Sequence, residues 1–262
     1  MNKLHIPPLD EQAAKTALEH QKILAKPPLA LGKLEPVAIQ IAAMTGNPAP
    51  RLKDKAVVLF AADHHIADHG LSLTSTDVTY IQTRNFLQGG GTINAFTRNA
   101  GARLSVVDVG VNYDFGDLPG LVKRKVMHGA NDFSRGPAMT REQALECLQV
   151  GIDMAREEKA RGLDIVAAGE MGIGNTTPSS AIVAVLTGTP VETVTGRGSG
   201  VKGEVIRKKI ELIEQGIALN NPDPSDAIDV LAKVGGPEIG AMAGLMRGAA
   251  SLRGPLVIDG FI

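Results

Sequence analysis

The sequence predicts an α/β fold, a doubly wound and mostly parallel sheet with helices on both faces, preceded by a smaller helical N-terminal part. Three observations predict it. Short apolar runs at 56–62, 104–109, 164–168 and 255–259 lack the alternation of a half-wet strand, as strands buried on both faces do. Segments with apolar residues at helical spacing lie between them. Strand-like and helix-like segments also alternate through the middle of the chain, which is the pattern of parallel βαβ units. With 262 residues, 44% of them hydrophobic, the chain can bury the core such a sheet needs.

The elements follow in order. Residues 1–50 hold helical stretches at 11–24 and 33–44, parted by Lys26-Pro27-Pro28, and read as an arm packed on the main domain or on a second subunit. Residues 51–262 form the α/β domain. After the strand at 56–62 comes a helix over 77–99, then the strand at 104–109. The clearest helix spans 141–161: Thr140 and Gln143 form a capping box, Leu145, Leu148, Ile152 and Ala155 share one face, and Gly162 supplies the stop. The strand at 164–168 follows, then helices at 178–186, 204–220 and 238–252, and the strand at 255–259. The chain stops soon after that strand without a covering helix, so truncation is the expectation.

Composition removes several function classes. With 27 basic and 28 acidic residues the net charge is -1, which gives nucleic acid or an anionic membrane no electrostatic handle. Aromatic residues are 3% with no Trp, too few for base-stacking platforms. The single cysteine, Cys147, excludes an internal disulfide and a multi-cysteine zinc site, as in a reducing cytoplasm. No apolar run approaches the roughly 18 residues of a spanning helix, and the first residues lack a signal-peptide pattern. The expected location is the cytoplasm.

Chemistry is expected beyond the carboxyl ends of the strands. Asp63, Asp108, Glu170 and Asp259 stand in or just after four of them; each could instead cap a loop. The strongest local signal is Gly169-Glu170-Met171-Gly172-Ile173-Gly174-Asn175-Thr176-Thr177-Pro178, a glycine-rich turn from strand to helix. Thr177 suits the N-cap and Pro178 the first helical position, and free amides at a helix start favour an anion. A second cluster, Gly196-Arg197-Gly198-Ser199-Gly200, precedes a helix carrying Arg207, Lys208 and Lys209, which suits a phosphate or a solvated charged face. His65 and His69 are four apart near Asp63, but the residue after the first His is Ile66 where the zincin pattern has Glu, so a metal-dependent hydrolase is the last-ranked reading. No Gly-x-Ser-x-Gly elbow or phosphate-loop motif is present.

These segments, together with Leu31-Gly32-Lys33-Leu34-Glu35, Phe60-Ala61-Ala62-Asp63-His64, Val107-Asp108-Val109-Gly110, Gly136-Pro137-Ala138-Met139, Asp229 through Gly236 and Leu256 through Phe261, resemble the nicotinate-nucleotide–dimethylbenzimidazole phosphoribosyltransferase family. The similarity runs in order from about residue 26 to the last residue. The resemblance implies transfer of ribose 5-phosphate from nicotinate mononucleotide to 5,6-dimethylbenzimidazole, with no cofactor, in a homodimer. It makes Glu170 the active-site glutamate and puts Thr74 and Gln82 on the benzimidazole. Gly172, Gly174, Asn175, Thr176 and Thr177 align with the nucleotide-binding turn, and Gly198 and Lys209 fall at the phosphate. The family's principal base lies in a C-terminal Gly-Glu-Gly-x-Gly motif that this sequence does not reach. A catalytically impaired nucleotide- or base-binding member of the same family is therefore the alternative.

Overall fold

The computed structural model describes residues 4–198 and 200–262; Ser199 of the second glycine cluster lies outside the described residues. Five parallel strands, β1 (Lys55–Ala62), β2 (Ala102–Gly110), β3 (Leu121–Lys123), β4 (Ile165–Met171) and β5 (Leu256–Val257), form one sheet in the order β3-β2-β1-β4-β5. The order reverses at β1, with β2 on one side and β4 on the other. Connections there leave in opposite directions and open a crevice at the carboxyl ends of β1 and β4, where ligands bind in doubly wound sheets. Register puts Phe60 beside Glu170 and Ala61 beside Met171, so the chain leaving β1 at Asp63-His64 runs next to the chain leaving β4.

Helices cover both faces. On one, α5 (Arg141–Ala160) and α10 (Pro237–Ser251) bury Val58, Phe60, Val107, Val109 and Val166 under Met154 and Leu245. These two helices pack backbone against backbone: a Cβ built on Gly151 would sit 1.9 Å from the Ala241 carbonyl oxygen, and one on Gly244 would sit 2.0 Å from that of Leu148. On the other face, α3 (Val78–Leu87) and α4 (Thr92–Ala100) bring Tyr80, Phe86, Leu87 and Ile93 onto Leu59, Ala61 and Val106. A second core, with Ile66, Phe133, Ala181, Ile213 and Val234, gathers α6 (Thr176–Thr187), the short α7 (Val191–Val194), α8 (Glu204–Asn220) and α9 (Ala227–Val234). The N-terminal α1 (Glu11–Ile23) and α2 (Leu34–Thr45) pair through Asp10 N–H to Ala43 O and a Lys26–Glu35 ion pair of 2.6 Å. Ile6, Leu9 and Met44 border an apolar groove shared with Met246 and Leu256.

The fold class is as expected, with differences that have local causes. The helix expected over 77–99 is two helices, because Gly89-Gly90-Gly91 ends α3 and its Gly91 N–H is taken by the Asn94 side chain at 2.9 Å. β3, α7 and α9 have three, four and eight residues and leave too short a periodic trace to read. Helix α5 matches closely, and both bonds of its Thr140/Gln143 capping box are present at 3.2 and 2.9 Å. Helix α6 starts at Thr176, not after Thr177, with Asn175 as its cap residue. Gly174, at φ +88°, turns the chain into the helix early, and Pro178 sits at the third helical position, where its missing N–H is still unneeded. The last strand pairs only through Leu256 and Val257, and Asp259 beyond it is exposed.

Candidate active site

Glu170, at the end of β4, accepts a hydrogen bond from the Asn175 side-chain amide. That bond explains why Asn175 gives no side-chain cap to its own helix: the amide holds the carboxylate instead. Burial, followed by the neighbouring Glu238, raises the Glu170 pKa, while Asn175 and His64 oppose the shift. A raised pKa makes the ionised carboxylate a stronger base, suited to accepting a proton.

The turn between them is held close to β1. A Cβ on Gly172 would lie 2.6 Å from the Ala62 carbonyl oxygen, so only glycine fits there. The amides of Asn175 and Thr177 bond the carbonyls of Gly172 and Gly174 at 3.2 and 3.0 Å, which makes the turn rigid. Ile173 N–H bonds the hydroxyl of Thr79 at 3.1 Å and so ties the turn to α3.

Lys209 is 1% exposed, although Arg207 and Lys208 of the same helix are exposed. Its ammonium donates to the Thr176 hydroxyl at 2.6 Å, and a Cβ on Gly198 would lie 2.9 Å from that hydroxyl and 3.8 Å from Nζ. Burial brings the Lys209 pKa down to about 8. Thr176, Gly198 and Lys209, from three separate segments, are thus brought together around one buried ammonium beside the turn. Gly198 of the second glycine cluster and Lys209 of the helix after it meet Thr176, whereas Arg207 and Lys208 of that helix are exposed.

Thr74 and Gln82 lie apart from this group. Thr74 is exposed on the loop before α3, with Ser72 Oγ 3.3 Å from its hydroxyl. Its neighbour Leu73 lies against Gly200, with 3.7 Å between Cδ1 and a Cβ built on that glycine. Gln82 is half-buried and accepts from Asn85 at 3.1 Å, in a groove with Tyr80 and Arg84. Between α3 and the end of β1 is a cavity of about 160 Å³, lined by Asp63, His64, Thr76, Tyr80 and Asn112 among others.

Of the four strand-end carboxylates, Asp63 lines that cavity and Glu170 is held by Asn175 beside the glycine turn. Asp108 is a loop cap, accepting from Gly110 and Val111 N–H at 3.2 and 2.9 Å and pairing with Lys125 at 2.9 Å. Asp63 accepts from Asn112 N–H at 2.8 Å, and burial raises its pKa against the pull of Thr79 and Asn112. His65 and His69 form a single 3-10 turn, with His65 bonded to His128 O at 3.2 Å and His69 to Asp132 at 2.8 Å. Among the described residues no group of three His, Cys, Asp or Glu side chains is placed to hold a metal ion.

Sequence reasoning missed Glu238. It sits fully buried in the first turn of α10, 2.8 Å from His64. The only cue was Gly235-Gly236 before Pro237-Glu238, which reads equally well as a plain helix start.

Comparison with known proteins identifies the family. A family model described as Phosphoribosyltransferase (DBI_PRT) matches residues 6–262. A nicotinate-nucleotide–dimethylbenzimidazole phosphoribosyltransferase of Geobacter sulfurreducens is 51% identical over 255 residues, covering 97% of this chain and 72% of its own length. One from Roseiflexus sp. (strain RS-1) is 52% identical over 257 residues, covering 98% and 73%. The crystal structure of CobT from Thermus thermophilus superposes with a TM-score of 0.91 at 43% identity, over 95% of this chain and 75% of that one. The chain belongs to the nicotinate-nucleotide–dimethylbenzimidazole phosphoribosyltransferase family.

Proposed function

We propose that this chain transfers ribose 5-phosphate from nicotinate mononucleotide to 5,6-dimethylbenzimidazole, giving α-ribazole 5'-phosphate and nicotinate, the lower-ligand step of cobalamin synthesis. The observation that carries the reading is the pairing of two features across one turn: the Glu170 carboxylate on one side and the buried Lys209–Thr176 contact of 2.6 Å on the other.

The pocket of Thr176, Gly198 and Lys209 takes the phosphate, and the rigid turn through Gly172, Gly174, Asn175 and Thr177 lies along the nucleotide. Thr74 and Gln82 flank the flat acceptor base. An acceptor nitrogen attacks the anomeric carbon of the ribose as the bond to the pyridinium nitrogen breaks, and that electron pair leaves with nicotinate. Positive charge builds on the sugar in between, and a nearby carboxylate stabilises it, as in glycoside hydrolysis. As the attacking nitrogen bonds the sugar, the other ring nitrogen of the acceptor gives up its N–H proton to a carboxylate within hydrogen-bond reach, for which Glu170 is our candidate. Holding the phosphate fixes the sugar for in-line attack, so binding energy remote from the reacting carbon lowers the barrier. Inversion at that carbon gives the α-product.

We place the protein in the cytoplasm as a homodimer. The single buried cysteine fits a reducing compartment, and among the described residues no helix is long and apolar enough to cross a membrane. The two-helix arm at 1–50, with Ile23, Leu29 and Leu34 exposed, is our candidate for contact with the second subunit.

The test is Glu170→Gln, assayed for nicotinate release and ribazole phosphate formation. It is expected to lower kcat by at least about a hundredfold with little change in nicotinate mononucleotide affinity. Full activity in that variant would remove Glu170 from the chemistry.

A further inference from the structure

His64 and Glu238 have no part in the transfer as written above, yet both are almost wholly enclosed. Nε2 of His64 lies 2.8 Å from Oε1 of Glu238, with the two side chains 1% and 0% exposed. A buried pair of this kind adds little to stability, because desolvating two charges offsets their attraction and apolar residues of equal volume do as well. Its location suggests a different use. The imidazole is clamped between two glycine backbones: a Cβ on Gly172 would come within 3.3 Å of its Cδ2 and Nε2, and one on Gly236 within 2.4 Å of its Cε1. Gly172 begins the substrate turn and Gly236 caps α10. The ring therefore lies directly behind the turn that carries Glu170 and Asn175.

The second Glu238 oxygen, Oε2, is buried and has no hydrogen-bond partner among the described residues. Around the imidazole the ionisable groups are Glu238 from α10, Glu170 from β4, and Asp63 from the end of its own strand, the last also facing His65. Glu238 in turn faces Glu170 and the Cys147 thiol of α5. Three carboxylates thus share one enclosed cation site. Burial alone would drive the proton off His64, but Glu238, then Asp63 and Glu170, hold its pKa above the ordinary histidine value.

We propose that His64 and Glu238 are positioning residues for the transfer: the imidazolium gripped by Glu238 is the buried cation that keeps the Glu170 carboxylate charged beside the sugar. This rests on the transferase reading. Without that cation, Glu170 and Glu238 would face each other as like charges in a site poor in water, and one of them would take up a proton. An uncharged Glu170 neither accepts a proton nor steadies a cationic sugar.

The experiment is the pH profile of kcat/KM for the wild-type chain, His64→Gln, and His64→Gln combined with Glu238→Gln. In the single variant the acid limb is expected to move up by about one pH unit, so activity falls roughly tenfold on the acid side and recovers at higher pH. In the double variant, loss of the Glu238 charge moves the limb back toward wild type. An unmoved limb, or a loss equal at every pH that Glu238→Gln does not relieve, overturns the proposal. Should the single variant fail to fold, nitrogen NMR of His64 in the wild-type chain decides: both ring nitrogens protonated at neutral pH support the pair, and a neutral tautomer overturns it. A wild-type chain that releases no nicotinate while His64 is an imidazolium refutes the transferase reading and leaves the buried cation standing.

Discussion

Lys209 carries the sharpest consequence at the scale of the residue. It is enclosed beside Thr176, and burial lowers its pKa to about 8. A phosphate arriving there finds a cation with little water left to displace, so the contact is stronger than a surface one. Lys209→Met keeps the length and apolar stem and removes the charge. We expect it to weaken nicotinate mononucleotide binding by about 2 kcal/mol, or roughly thirtyfold in Kd, without lowering the unfolding midpoint, since the cost of burying an ammonium disappears with it. Titration calorimetry alongside thermal melts checks both halves. The same group makes wild-type affinity fall as pH rises through about 8, because the free site then holds a neutral amine. A Kd unchanged between neutral pH and well above that value would place the phosphate elsewhere.

At the scale of the element, α5 and α10 form the tightest contact, and glycine makes it possible. With Gly151 and Gly244 facing carbonyl oxygens at 1.9 and 2.0 Å from any added Cβ, neither helix can accept a methyl group without moving its whole backbone. Gly151→Ala is expected to destabilise the protein by about 3 kcal/mol, at the upper end of overpacking costs. Gly136→Ala, with nothing within 4 Å of the added carbon, is the matched control and should stay within about 0.5 kcal/mol of wild type. Urea unfolding measures both. Since α10 also delivers Glu238 to His64 behind the glycine turn, a shift of this helix reaches the proposed site as well as the core.

For the whole molecule, the site's ionisable groups tie stability to pH. The folded-state pKa of His64 is raised, so its contribution is complete below the unfolded value of about 6.5 and is lost as pH climbs through the folded value. Asp63 and Glu170 are also raised and act in the same direction from lower pH, whereas Asp132, held low by Ser134 and His69 against burial, loses its contribution only in acid. The thermal midpoint of the ligand-free chain should therefore drop between about pH 6 and pH 8, and His64→Gln should flatten that drop. Differential scanning calorimetry in the two buffers is sufficient; an identical slope in the variant would show that His64 is not the group responsible.

The chain's own order of apolar runs and amphipathic segments was enough to determine a doubly wound parallel sheet, because buried strands and helices differ in period whatever they pack against. The turn from Gly169 to Pro178 was legible as a glycine-rich passage from strand to helix because its glycines act locally, although the cap is Asn175 and not Thr177. The pairing of Lys209 with Thr176, 33 positions apart, and of His64 with Glu238, 174 apart, was not legible, since such contacts depend on how strands and helices cross in space. Nor could local pattern show that Asp108 caps a loop while Glu170 is held by Asn175 beside the glycine turn: both are carboxylates at strand ends, and only the tertiary structure separates them. Periodicity is written along the chain, whereas burial of a charge and the neighbours it meets arise only when distant segments close around it.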